Sequence, residues 1–146
     1  MADSFNARPH PVWEAHGVVR CLIVDDCPHF LAAARRLLEG EGMSVVGVAT
    51  TGDEAAERIA ELGPDVVLLD VELGAENGIE VADRLHRDAA AGAPRIVLVS
   101  ACGEQDYAPL VAASPAIGFL CKSRLSAAAV RALLDDEGKG GPSGGE

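Results

Sequence analysis

The 146-residue sequence predicts an α/β domain in which five parallel strands form one doubly wound sheet between two layers of helices, five helices in all. Three observations support this. Short runs rich in Val, Ile and Leu alternate along the chain with segments whose apolar residues recur at helical spacing. The runs carry aliphatic residues on both faces, as strands covered on two sides do. A helix-length segment separates each strand from the next, which is the connection that parallel strands require.

The first strand is read in "VVRCLIV" (18–24) and the first helix in "PHFLAAARRLLEG", where Phe30, Ala33, Ala34, Leu37 and Leu38 share one face. "MSVVGVA" (43–49) then precedes "GDEAAERIAEL", "DVVLLD" (65–70) precedes "GIEVADRLHRDAA", and "AIGFLC" (116–121) precedes "SAAAVRALLDD". The fourth strand, "RIVLVS" (95–100), leads to a weaker helical pattern containing Pro109. Proline lacks an N–H and is tolerated only in a first helical turn, so this helix should be short and begin near Tyr107 or Ala108, after a mobile loop.

Residues 1–16 read as an N-terminal extension whose Trp13 could dock on the domain, 17–137 as the domain, and 138–146 as a flexible Gly-rich tail. A hydrophobic fraction of 49% and mean hydropathy of +0.17 suit one compact domain with a real core. No apolar stretch is long enough to span a bilayer, and the amino terminus lacks the apolar segment of a secretory signal, so a cytoplasmic protein without membrane contact is expected. The net charge of −11, with only 12 scattered Lys and Arg residues, argues against direct nucleic-acid binding. Cys21, Cys27, Cys102 and Cys121 show no C-x-x-C spacing and are read as free thiols.

Ligands of such sheets bind beyond the carboxyl ends of the strands. Five polar residues fall there: Asp25 and Asp26 after strand one, Asp70 after strand three, Ser100 after strand four and Lys122 after strand five. Three carboxylates in one place repel each other unless a cation neutralises them, and oxygen ligands without His or Cys favour Mg²⁺. Asp25 and Asp26 then hold the metal, and Asp70 can attack phosphorus to form an acyl phosphate. Lys122 can pair with Asp70 and later with phosphoryl oxygens, to which the Ser100 hydroxyl can also donate. Each residue has a plainer role open to it: Asp25, Asp26 or Asp70 as a helix or turn cap, Ser100 as an ordinary strand end, Lys122 as a surface cation.

With those residues in view, the chain resembles the response regulator receiver domains of two-component signalling. The match lies in the paired acids of "IVDDCP", the acceptor in "VVLLDVELGAENG", the hydroxyl in "IVLVSA" and the lysine in "GFLCKS", and it covers roughly residues 18–136. Intervals of 44, 30 and 22 residues separate Asp26, Asp70, Ser100 and Lys122, and these agree as well. The resemblance implies a flavodoxin-like sheet of order 2-1-3-4-5. It also implies that Asp70 takes a phosphoryl group from the phosphohistidine of a histidine kinase or histidine phosphotransfer protein. Mg²⁺ would be held by Asp26, Asp70 and the backbone carbonyl of Glu72, with Asp25 acting mainly through water. Ser100 and Phe119 would form the switch pair. The fourth helix, fifth strand and fifth helix would engage a downstream protein, an effector domain or a second copy of the chain in a phosphorylation-dependent homodimer. No enzymatic turnover beyond self-directed phosphotransfer and autodephosphorylation is implied.

Two positions depart from the family pattern. Ser123 follows the lysine where proline is usual, often in a cis bond; a cis bond at serine costs about 3–4 kcal/mol, so a trans or differently shaped loop is expected. Gly74 replaces a common proline and should loosen the loop after Asp70. Glu72 and Cys102 stand where the family tunes phosphoryl lifetime. Cys27, Cys102 and Cys121 fall near the site, where thiol oxidation could block phosphorylation. Two rival functions remain at this level: an aspartate-nucleophile phosphohydrolase, and a receiver-like interaction module that is not phosphorylated.

Overall fold

The computed structural model describes residues 17–89, 93–101 and 108–140. The N-terminal extension with Trp13, the loop before the fourth helix, Cys102 and the last six residues lie outside the described residues. In chain order the elements are β1 (Arg20–Val24), α1 (Pro28–Gly40), β2 (Ser44–Ala49), α2 (Gly52–Leu62), β3 (Val66–Asp70), α3 (Gly78–Ala89), β4 (Arg95–Ser100), α4 (Ala108–Ala112), β5 (Gly118–Cys121) and α5 (Ala127–Gly140). Between β3 and α3 a two-stranded hairpin pairs Glu72–Leu73 with Glu76–Asn77, and a single 3₁₀ turn, Lys122–Arg124, joins β5 to α5.

The five long strands are parallel and lie in the order β2-β1-β3-β4-β5. Alternating side chains divide the interior into two layers. Cys21, Ile23, Val66, Leu68, Val97 and Val99 pack with Leu31, Ala34 and Leu38 of α1 and Val130 and Leu134 of α5. Leu22, Val24, Val67, Leu69, Ile96 and Leu98 pack with Ala55 of α2 and Val81, Ala82 and Leu85 of α3, and Val111 of α4 joins them. β3 is buried at all five positions, which explains its unbroken aliphatic run.

Arg20 fastens the opposite end of the sheet. Its guanidinium donates to the carbonyls of Leu62 and Gly63 at 2.8 and 2.6 Å, where the last turn of α2 leaves acceptors unpaired.

Several expectations change in detail. β1 and β5 each open two residues later than their apolar runs, at Arg20 and Gly118. α5 continues to Gly140, three residues into the stretch read as tail. Cys21 and Cys27 are free, but Cys121 is disulfide-bonded, which corrects the reading of four free thiols. A disulfide depends on how close two Cα atoms come in the fold, and sequence spacing does not show this. Among the described residues no helix is long and apolar enough to cross a membrane.

The join between β3 and α3 leaves no room for a side chain. A Cβ on Gly78 would overlap the carbonyl oxygen of Asp70 and lie 2.7 Å from Cα of Val71, both backbone atoms that cannot swing aside. Gly63, at the end of α2, has φ +56° but nothing within 4 Å of its would-be Cβ. Gly78→Ala is therefore expected to lower urea-unfolding stability by about 2–3 kcal/mol or more, against about 1 kcal/mol for Gly63→Ala. Equal losses would contradict the packing account.

Candidate functional site

β1 and β3 are sheet neighbours in a register that pairs Val24 with Leu69, so their ends deliver Asp25 and Asp70 at the same level. Asp25 is 1% exposed and Asp70 6%, while Asp26 faces solvent. One carboxylate oxygen from each of the three lies within 4.8 Å of the others.

Neither Asp25 nor Asp26 caps α1: its N-cap is Cys27, which makes no side-chain cap bond, and Pro28 starts the helix without an N–H to satisfy. Asp25 Oδ1 instead accepts from the Cys27 N–H at 2.8 Å. Asp70 Oδ1 accepts from the Glu72 N–H at 3.1 Å. Each buried carboxylate thus has one oxygen held by backbone two residues on and the other turned toward Lys122.

Lys122 Nζ lies 2.7 Å from Asp25 Oδ2 and 3.6 Å from Asp70 Oδ2. The sequence reading paired it with Asp70; the structure puts the more deeply buried Asp25 closer. Burial works against the ammonium charge, but the hydrogen bond that Nζ donates to the Asp25 carboxylate and the charges of Asp70 and Asp25 outweigh it and raise the lysine pKa. The same ammonium sits 4.4 Å from the ring centroid of Phe30, in the first turn of α1. Phe30 was read only as a core residue of that helix; a cation on its ring face needs the end of β5 to arrive there, which no local pattern reveals.

Glu72 contributes its backbone N–H, and its side chain is exposed. Gly74 has a definite place in the hairpin. It takes φ +60° and closes the hairpin turn, a conformation proline cannot adopt, and a Cβ there would lie 3.2 Å from Asp26 Oδ2. Among the described residues no peptide bond is cis, and the chain leaves Lys122 through the 3₁₀ turn.

Ser100 is 5% exposed at the end of β4 and pairs in register with Cys121, as Leu98 pairs with Phe119. By alternation Ser100 and Phe119 share one sheet face, and Phe119 is half-buried against the layer that includes Val111 of α4. The structure thus draws Asp25, Asp26, Asp70 and Lys122 into one cluster, and sets Ser100 with Phe119 on the α4 side of the same sheet edge.

The model of the response regulator receiver domain matches residues 21–134. The chain belongs to that family. Over 88 residues it is 43% identical to protein-glutamate methylesterase/protein-glutamine glutaminase 5 of Myxococcus xanthus, covering 60% of this chain and 25% of that protein. Over 104 residues it is 34% identical to the DNA-binding transcriptional activator EvgA of Escherichia coli K12, covering 71% of this chain and 50% of that one. The chain therefore spans between a quarter and a half of these relatives. The signal receiver domain of the putative response regulator NarL from Mycobacterium tuberculosis superposes with a TM-score of 0.68 at 33% identity, covering 80% of this chain and 94% of that one.

The crowding of acids in this receiver domain has a measurable consequence. Burial first, then the Asp25 and Asp26 charges, outweigh the Glu72 hydrogen bond and Lys122 and push the Asp70 carboxyl up to about 6. An acid with a raised folded-state pKa lowers stability as it ionises: the deficit grows from about pH 4, the unfolded value, and is complete above pH 6. Asp70→Asn should therefore be more stable than wild type at pH 8, by on the order of 1–3 kcal/mol, with the difference shrinking toward pH 5. A variant less stable than wild type at pH 8 would contradict this reading.

Proposed function

We propose that Asp70 is the phosphoacceptor of this receiver domain and that its phosphorylation switches a protein-binding surface. The observation that carries the reading is the cluster itself: three carboxylates within 4.8 Å of one another, with Lys122 Nζ against the two buried ones. The donor set suits Mg²⁺, since every donor is an oxygen and exposed Asp26 keeps one side open to water and ligand. Asp26, Asp70 and the backbone carbonyl of Glu72 would hold it, with Asp25 acting through water because Lys122 already occupies its free oxygen. Bound there, the ion would offset the carboxylate repulsion and neutralise charge on the phosphoryl oxygens.

With Oδ1 of Asp70 held by the Glu72 N–H, Oδ2 is the oxygen presented for attack. It forms the new bond to phosphorus while the bond from phosphorus to the donor's imidazole nitrogen breaks, and that nitrogen keeps the electron pair. Lys122 then exchanges part of its contact with Asp70 for a phosphoryl oxygen. The Ser100 hydroxyl donates to another, and Phe119, on the same sheet face, follows it inward. The added charge can bias the two arrangements only by the difference in contacts it makes in each.

The donor would be a phosphohistidine of a histidine kinase or phosphotransfer protein. The surface of α4, β5 and α5 would engage the downstream protein or effector domain, in the cytoplasm and without direct nucleic-acid contact by these residues. No observation favours the phosphohydrolase reading: Glu72, the residue placed for a general acid, turns its side chain to solvent and offers Asp70 only its N–H.

Incubation with acetyl phosphate and Mg²⁺ should add one labile phosphoryl group by intact mass to wild type and none to Asp70→Asn. Removing the ion with EDTA should abolish the reaction, and Lys122→Met should slow it by about 100-fold or more. An adduct retained by Asp70→Asn, or repeated turnover of an external phosphate ester, would refute the assignment.

A further inference from the structure

The hairpin after Asp70 is tied to a second element by a residue not used in the reaction proposed above. Glu76 Oε1 accepts a hydrogen bond at 2.8 Å from the N–H of Gly52, 24 residues earlier in the chain. Gly52 opens α2, whose cap Thr51 accepts from the Glu54 N–H, so Glu76 satisfies a further N–H at that helix end, where a carboxylate is favoured. The approach is close: a Cβ on Gly52 would lie 3.1 Å from Glu76 Oε2 and 3.3 Å from Val81. An exposed ion pair, Arg84 with Asp53 at 2.6 Å, joins α3 to the same turn of α2, although exposure makes its contribution small.

The other side of the hairpin meets the acidic cluster. Glu76 pairs with Leu73, which is 2% exposed in the core. Gly74 lies in the turn between them, where a Cβ would come within 3.2 Å of Asp26 Oδ2, and Glu72, beside Leu73, holds Asp70 Oδ1. Two residues per strand cannot hold a hairpin in place alone, so its position depends on these external ties.

We infer that Glu76 is a positioning residue for the acceptor site. By binding the N-terminus of α2 it holds the hairpin where Glu72 and Gly74 set Asp70 and Asp26 against each other. The inference rests on the proposed function, because both metal holding and in-line attack depend on carboxylate positions to a fraction of an ångström.

The test compares the full chain as wild type, Glu76→Gln, Glu76→Ala and Gly52→Ala in two measurements: the Mg²⁺ Kd from an NMR titration and the rate of phosphorylation by acetyl phosphate. Glu76→Gln keeps an acceptor oxygen and loses the charge, and should stay close to wild type. Glu76→Ala and Gly52→Ala, which remove or push apart the contact, should weaken Mg²⁺ binding and slow phosphorylation by about tenfold while remaining folded at the assay temperature. If Glu76→Ala does not fold, Glu76→Met, which fills the space without an acceptor, carries the same expectation. Glu76→Ala matching wild type would overturn the inference, and so would equal losses in the Gln and Ala variants, which would make the effect one of charge alone. A wild-type chain that takes no phosphoryl group would instead sink the proposed function, with the Mg²⁺ affinities still deciding the role of Glu76.

Discussion

Two carboxylates, 1% and 6% exposed, share one ammonium group at the edge of a buried sheet, with a third acid beside them. Most of the remaining site follows from that constraint. A buried carboxylate is tolerable only with a cation or several hydrogen bonds, and breaking such a pair typically costs about 3–5 kcal/mol because a charge is left behind unpaired. Lys122 cannot satisfy Asp25 and Asp70 equally, and it sits closer to Asp25. Burial first, and then the charges of Asp25 and Asp26, leave Asp70 with a raised pKa. The fold thus keeps one carboxylate under-compensated at its open edge, where the proposed divalent ion and phosphoryl group would bring their own contacts.

Strand order makes this arrangement possible. Because β1 and β3 are neighbours and β4 and β5 continue the sheet, residues far apart in the chain end at one edge. The same register places Ser100 and Phe119 on one face, toward α4. In the proposed switch, a change at Asp70 would reach a helical surface through these two side chains without rearranging the sheet, whose two packed layers resist continuous deformation. The hairpin serves the opposite purpose. Gly74 in a left-handed turn, Leu73 in the core and Glu76 on α2 hold the segment after Asp70 in place.

The sheet, its five strands and the acidic edge were legible because they are local signals: β-branched runs, helical spacing and acids immediately behind apolar strands. The family resemblance then added the roles proposed for Glu72 and Phe119, which composition alone could not supply. What was not legible depends on where separate segments meet. Lys122 could be placed near the acids, but its preference for Asp25 and its seat on the Phe30 ring depend on side-chain directions at three strand and helix ends. Gly74 was read through the proline it replaces, so the turn it makes was missed; a hairpin of two residues per strand has too short a pattern to read. Glu76 lay in a segment taken as loop, and its partner is 24 residues away. Cys121 had no spacing signal for its disulfide.

The central claim is that the three acids act as one cation site, and Mg²⁺ linkage to folding measures it without reference to any reaction. Urea unfolding of the full chain with and without millimolar Mg²⁺ at pH 8 should show the ion raising the midpoint of wild type, with the increase lost when Asp26 or Asp70 is replaced by Asn. A wild-type midpoint that does not respond to Mg²⁺, or one that responds equally in both variants, would contradict the account.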